Sequence, residues 1–289
     1  MSAASTYAGA SMKCVILDFD GTFTDAEAEG APFAAAFKAG IFDLVNHGAI
    51  DAEWDDVRRS IEENPRQYGW VFDGQIVAPA LADPYILSTT IAQGVLNRFE
   101  VLMDPVERNE KVQSLYHQAY AQTLSVFRPE AGDVLASVLA KGLRTYCITN
   151  ASTDGVIKKL EKLIPGVVTE KKITIFGAAQ KFVIAPPRNP DARWTQLPAE
   201  YRVTGLERPI LVRRGRYFDA IQKVLNENAC DPNDAIVCGD IFELDLSLPL
   251  NLGMQIHLVQ GKTTPDYELA EVKRVNQTAG ALKALLDRL

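Results

Sequence analysis

The sequence predicts an α/β protein with a doubly wound, mostly parallel sheet and a helix-rich unit inserted after the first strand. Three observations carry that prediction. Short apolar or β-branched runs recur at residues 14–19, 143–149, 173–176, 235–238 and 254–259. Runs of this length, bounded by Gly or Asp, suit strands covered on both faces. Segments with helical spacing lie between several of them. The stretch 25–127, by contrast, carries long helical patterns and few strand-like runs, which is too much structure for a loop.

In chain order, residues 14–19 form the first strand. Residues 32–46, 51–63, 81–99 and 105–124 are the helices of the inserted unit. A helix at 130–141 ends at Gly142, a residue suited to a left-handed cap, and leads into the next strand. Residues 152–163 and 217–228 are the following crossover helices. The stretch 182–212 holds Pro186, Pro187, Pro190, Pro198 and Pro209 and reads as an irregular excursion, with a hairpin as one option. The expected division is a core of residues 12–24 and 128–289, excursion included, and an inserted unit of residues 25–127. The aromatics of that unit, such as Phe33, Phe37, Trp54, Tyr85, Tyr116 and Tyr120, are expected in its own core.

Composition narrows the function. At 289 residues the chain has room for about two domains of ~150 residues. Thirty Lys and Arg against 37 Asp and Glu give a net charge of −7, which argues against a protein built to grip nucleic-acid phosphates. An apolar share of 47% with 23% charged residues excludes wholesale disorder. Four cysteines, none at Cys-x-x-Cys spacing, and three histidines exclude a disulfide scaffold and disfavour structural zinc. Free thiols suit a reducing compartment. Residues 1–11 show no signal-peptide pattern, and no apolar run reaches the ~18 residues of a membrane span. The expectation is a cytoplasmic protein.

The chemistry begins at the end of the first strand, in Asp18-Phe19-Asp20-Gly21-Thr22-Phe23-Thr24-Asp25. Side chains alternate along a strand, so Asp18 and Asp20 share a side while Phe19 points away. Two carboxylates at the carboxyl end of a parallel strand stand where open α/β sheets bind ligands. Such a pair can divide attack from proton transfer. In Ile148-Thr149-Asn150-Ala151-Ser152 a hydroxyl beside a helix start makes an anion cradle. The third segment is Gly239-Asp240-Ile241-Phe242-Glu243-Leu244-Asp245. Its carboxylates, set beside the first pair, repel unless a cation sits among them, and hard oxygen ligands open to phosphate indicate Mg²⁺. Read singly, these residues have plainer meanings: an Asx turn at Asp18, or a helix cap at Thr149 or Asp240.

Together the segments resemble the haloacid dehalogenase-like (HAD) hydrolase superfamily, and its phosphatase branch in particular. With h for a hydrophobic residue, the family's first motif, hhhhDxDGTxT, is matched by VILDFDGTFT. The second, hhhT/S, is matched by CITN and the fourth, GDxxxxD, by GDIFELD, in the family's order. The resemblance spans residues 12–259, with room between Asp18 and Thr149 for the family's helical cap. It implies a HAD-like Rossmannoid core, an α-helical cap domain at 25–127, and Mg²⁺-dependent hydrolysis of a small phosphorylated metabolite. Asp18 is then the nucleophile that forms an aspartyl-phosphate. Asp20 is general acid and later general base, and its backbone carbonyl is a metal ligand. Thr149 and Asn150 bind the phosphoryl group, Asp240 completes the metal site, and Asp245 helps position that shell.

One departure stands out. Where the family has a lysine-proline signature before a helix, this chain has Val212-Arg213-Arg214-Gly215-Arg216. Counting back from Asp240 makes Arg214 the expected catalytic and phosphate-binding cation, Arg213 its substitute and Lys181 a third candidate. An arginine there grips oxygens bidentately. The acidic stretch 25–29 stands where the family has a flexible gate. The rival readings are a phosphotransferase or mutase, which differs in the acceptor, and a non-catalytic protein that binds a phosphorylated ligand. Dehalogenation is disfavoured because that branch lacks a carboxylate at the position of Asp20. A phosphonate-cleaving variant needs a Schiff-base lysine in the cap, where nothing distinguishes Lys38. A two-component receiver domain is much smaller and lacks the DxDGT turn.

Overall fold

Successive side chains of β1 (Cys14–Leu17) point to opposite faces, and all four are fully buried. Cys14 and Ile16 enter one hydrophobic cluster, Val15 and Leu17 another, so this strand runs mid-sheet with both faces covered. The structure, a computed structural model, describes residues 12–48 and 50–289. The reading of residues 1–11 lies outside the described residues.

After β1 the chain leaves the sheet. Asp25 caps α1 (Ala26–Val45), accepting the Ala28 N–H at 3.1 Å, and Glu27 and Glu29 stand in the first turn, where the helix dipole favours them. The helix thus starts ahead of residue 32, and the acidic stretch is its first turn, not a gate loop. After α2 (Ile50–Glu63) comes an antiparallel hairpin of β2 (Gly69–Phe72) and β3 (Gln75–Pro79). It turns at Asp73-Gly74, with φ of 49° and 72°, as two-residue hairpin loops require. α3 (Pro84–Arg98) and α4 (Pro105–Tyr120) each begin with proline behind an aspartate cap, Asp83 and Asp104. These helices meet around Phe33, Phe37, Ile41, Trp54, Ile91 and Leu96, a cluster distinct from those of the sheet. The two connections to the sheet pair with each other at Thr24 and Phe127.

The chain returns through α5 (Ala131–Ala140), β4 (Arg144–Ile148), α6 (Thr153–Leu163) and β5 (Thr174–Phe176). Next come α7 (Ala192–Gln196), β6 (Glu200–Tyr201) and β7 (Ile210–Leu211), the last two paired antiparallel. Then follow α8 (Gly215–Glu227), β8 (Ala235–Gly239), α9 (Ser247–Asn251), β9 (Gln255–Val259), α10 (Asp266–Arg274) and β10 (Thr278–Gly280). The main sheet has the order β10-β9-β8-β1-β4-β5, with every pairing parallel.

α8 lays Tyr217, Phe218, Ile221, Val224 and Leu225 against the face of Cys14 and Ile16. α5 and α6 cover the other face with Val134, Leu135, Val138, Val156 and Leu160. Each such side chain, fully buried, contributes about 1.5–3 kcal/mol. The proline-rich stretch does not leave the core. Trp194, Leu197, Val203, Ile210 and Val212 are buried in the cluster of α8, so it is a lobe folded down on the sheet. Its base closes where Ala185 pairs with Arg214 and the Gly215 N–H reaches the Ala185 carbonyl at 2.9 Å. Among the described residues no helix is long and apolar enough to cross a membrane.

Candidate active site

Parallel register sets three strand ends level: Leu17 pairs with Cys147 of β4 and with Cys238 of β8. Asp18, Thr149 and Asp240 therefore leave the sheet along its carboxyl edge, where open α/β sheets bind ligands. Asp18 is 8% exposed and donates its N–H to the Cys238 carbonyl at 2.8 Å. Gly21 makes the turn that follows. Its φ is +76°, and a Cβ there would lie 2.0 Å from Asp240 Oδ2, so both the backbone and the approach of Asp240 demand glycine. Asp245 stands on a single π-helical turn, Phe242–Leu246. Its carboxylate accepts the Ile241 N–H at 3.0 Å, and its carbonyl accepts the Tyr217 hydroxyl at 2.8 Å. One carboxylate oxygen from each of Asp18, Asp240 and Asp245 lies within 4.8 Å of the others.

Three charges so close are costly. Burial pushes Asp18 up to about 7, against the pull of Lys181 and with the added repulsion of Asp245. Burial, then the charges of Asp245 and Asp18, holds Asp240 well above the usual carboxylate range. A divalent cation relieves both costs. Three hard anionic oxygens with no thiolate or imidazole suit a cation of the Mg²⁺ or Ca²⁺ type over a soft metal, so the residues fit such an ion.

The lysine facing this cluster is Lys181. Its ammonium lies 2.6 Å from Asp18 Oδ1 and 2.6 Å from Asp245 Oδ1, and its side chain is 1% exposed. Burial works against its charge, yet the two carboxylates hold it well above the ordinary lysine value. Arg214 makes no such contact with Asp18. Fully buried, it donates to the carbonyls of Leu211, Lys181 and Val77 at 3.0, 2.9 and 2.9 Å. Arg213 donates to the Leu197 carbonyl and lies over the Trp194 ring. Of the three cations expected here, Lys181 is the one whose ammonium meets Asp18, while Arg214 and Arg213 are engaged by backbone carbonyls. Counting back from Asp240 missed Lys181 because the lobe stands between that lysine and α8. Lys181 follows β5 at the same sheet edge, and strand position, not sequence separation, is the signal that identifies it.

Asp20 is half-buried and lies outside the carboxylate cluster. Its Oδ1 is 3.2 Å from the Tyr120 hydroxyl and 3.3 Å from the Lys159 ammonium, which are 2.9 Å from each other. Tyr120 ends α4 and Lys159 lies on α6, so the inserted unit meets the sheet at this carboxylate. Sequence reasoning left Tyr120 to the core and passed over Lys159, which has no mark beyond its place on the helix after Thr149. Thr149 is buried, and its Oγ1 accepts the Ala151 N–H at 3.2 Å. The Asn150 Oδ1 accepts the Lys181 N–H at 2.8 Å; that contact is with the protein itself. Arg128 grips the Gly21 carbonyl through Nε and Nη2 at 3.1 and 2.7 Å. Glu243 is held bidentately by Arg208 at 2.8 and 2.7 Å. Beside Gly21 and Asp240 opens a cavity of about 400 Å³, lined also by Asp83, Arg128, Gln260 and Lys262, a size that suits a small polar molecule.

No family model matches the chain, and no curated protein does. Solved structures match it along nearly its whole length. A protein from Bacteroides fragilis assigned as a haloacid dehalogenase-like hydrolase superposes with a TM-score of 0.54 at 13% identity, covering 95% of this chain and 100% of its own. One from Haemophilus somnus assigned as a phosphoglycolate phosphatase gives 0.53 at 12% identity, covering 96% and 97%. YfnB from Bacillus subtilis, assigned as a HAD-hydrolase and bound to magnesium, gives 0.50 at 13% identity, covering 97% and 99%. With its parallel six-stranded sheet and flanking helices, the chain has the haloacid dehalogenase-like fold.

Proposed function

We propose that the chain is a Mg²⁺-dependent phosphohydrolase of the HAD type. It cleaves a small phosphomonoester through an aspartyl-phosphate on Asp18, with residues 25–127 as a helical cap domain over a core of residues 12–24 and 128–289. The observation that carries this reading is the gathering of Asp18, Asp240 and Asp245 within 4.8 Å, with the Lys181 ammonium 2.6 Å from Asp18. The Asp18, Asp240 and Asp245 carboxylates and the Asp20 backbone carbonyl would hold Mg²⁺, which neutralises charge shared between phosphate and carboxylates.

The chain's own residues do the rest. Asp18, its carboxylate fixed by Lys181 and its amide by Cys238, attacks phosphorus in line with the departing oxygen. The Lys181 ammonium and the Thr149 hydroxyl stabilise negative charge on the phosphoryl oxygens, an effect worth most where water is excluded. Asp20 gives its proton to the departing alcohol oxygen. Its carboxylate then takes a proton from water as that water attacks phosphorus, breaking the acyl-phosphate bond and releasing inorganic phosphate with Asp18 restored. If a hydroxyl of a second molecule replaces that water, the same residues perform a phosphotransfer.

The test is phosphate release from an aryl phosphate and from a panel of phosphorylated metabolites, with and without Mg²⁺, comparing kcat/KM. Metal-dependent turnover lost in Asp18→Asn supports the reading. Absence of turnover across the whole panel overturns it in favour of a protein that only binds a phosphorylated ligand.

A further inference from the structure

Lys181 stands in a loop whose local conformation the sequence does not favour. Ala178 and Gln180, just before it, have φ of 50° and 49°, left-handed values that cost a non-glycine residue unless the surroundings impose them. Two side chains from elsewhere grip the backbone of Lys181. Asn150 accepts its N–H at 2.8 Å, and Arg214 Nη1 donates to its carbonyl at 2.9 Å. The same guanidinium reaches the Leu211 carbonyl of the lobe through Nε and the Val77 carbonyl of β3 through Nη2. Arg214 is thus spent on three carbonyls from three separate segments. Its nearest carboxylate oxygen, on Glu243, is 3.9 Å away, and Glu243 is already paired bidentately with Arg208. Donating in several fixed directions is what a planar guanidinium does and a lysine cannot.

We infer that Arg214 is a positioning residue for Lys181. By clamping the Lys181 carbonyl to β3 of the inserted unit, opposite the grip of Asn150 on the amide, it fixes where the ammonium meets Asp18 and Asp245. The clamp stands on the geometry; its consequence for rate rests on the function proposed above. A flexible four-carbon stem aims accurately only from a fixed backbone, and an error of ~1 Å at such a group costs about 100-fold in rate.

The test compares Arg214→Lys, Asn150→Ala, and Arg213→Ala as a control that leaves both clamps intact. Reductive methylation followed by mass spectrometry reads the protection of Lys181 against that of the other lysines. Arg214→Lys and Asn150→Ala should each lose protection at Lys181, beyond the loss in a core variant such as Ile221→Ala matched in melting temperature. Arg213→Ala should keep it. In Mg²⁺-dependent turnover, Arg214→Lys should lower kcat by about 10–100-fold with a smaller change in KM. If Arg214→Lys does not fold, Asn150→Ala carries the same two readouts from the other clamp. Wild-type protection of Lys181 in both variants overturns the inference, as does an unchanged kcat in an active enzyme. No turnover in the wild type overturns the functional reading instead and leaves the labelling to decide the clamp.

Discussion

Lys181→Met keeps the apolar stem but deletes an ammonium held 2.6 Å from two carboxylates. The side chains of Lys181, Asp18 and Asp245 are 1%, 10% and 2% exposed, so water cannot take the place of the lost partner. Removing one member of a buried ion pair costs about 3–5 kcal/mol, and here two carboxylates lose it. Proton uptake limits the damage, because Asp18 is pushed up to about 7 even with Lys181 present. At roughly 2–4 °C per kcal/mol for a chain near this size, the variant should melt roughly 6–20 °C below wild type in EDTA at neutral pH. Mg²⁺ should raise its Tm by more than it raises that of wild type, since the ion supplies charge the lysine no longer does. Phosphate release should fall by at least about 100-fold. Differential scanning fluorimetry with EDTA and with Mg²⁺ reads the first two effects, and a phosphate assay the third. A variant that melts with wild type in EDTA and gains no more from Mg²⁺ refutes a buried ammonium balancing a carboxylate cluster.

Asp18→Asn should abolish turnover and leave Tm nearly unchanged, since the substitution is isosteric and Lys181 keeps Asp245 as a partner; measurable Mg²⁺-dependent turnover removes Asp18 from the nucleophile's role. Gly21→Ala imposes a side chain at φ +76° with its Cβ 2.0 Å from Asp240 Oδ2. A loss of at least about 1–2 kcal/mol follows from the backbone alone, with weaker Mg²⁺ binding by calorimetry as Asp240 is displaced; unaltered Mg²⁺ affinity would contradict the close approach. Glu268, fully buried with Oε2 on the Phe242 N–H at 3.0 Å and Oε1 without a partner, is pushed up from 4.5 to about 8, chiefly by burial. A carboxyl raised in the folded state keeps its proton while the unfolded chain loses it, so its contribution is complete below pH 4.5 and is lost as pH rises to about 8. Glu268→Gln should therefore gain on wild type by up to about 1.4 kcal/mol per pH unit across that window, in urea melts; a difference flat with pH contradicts the burial of an ionisable group there.

The strands of the main sheet show in the sequence because burial on both faces leaves an unbroken apolar run, as in Val15-Ile16-Leu17 and Ile236-Val237-Cys238. Helix ends show where a cap has a side chain to offer, as Ser152 does for α6. The inserted unit was legible in its helices and not in its hairpin. Asp73-Gly74 between Trp70-Val71-Phe72 and Gln75-Ile76-Val77 is a strong two-residue turn signal, hidden by the helical patterns on either side. β10, three residues long with none fully buried, lacks enough apolar sequence to register. The lobe read as an excursion for its prolines, which report on backbone regularity and say nothing of where Trp194 and Ile210 bury their surface.

The same distinction runs through the site. Asp18, Asp20 and Gly21 belong to one strand and its turn, and Asp240 and Asp245 to another, so their chemistry is written in consecutive residues. Lys181, Lys159 and Tyr120 reach the site from separate elements, and no spacing along the chain encodes a contact made by folding. Topology supplies the missing constraint. A cation that must meet Asp18 has to come from a segment leaving the same edge of the sheet, and β5 is hydrogen-bonded to β4, itself the neighbour of β1. Lys181 satisfies that condition wherever the next helix falls, because a lobe added after it changes sequence distance and leaves strand order alone. Arg214, at the start of α8, satisfies the spacing, but its guanidinium is spent on three carbonyls and forms no ion pair with Asp18.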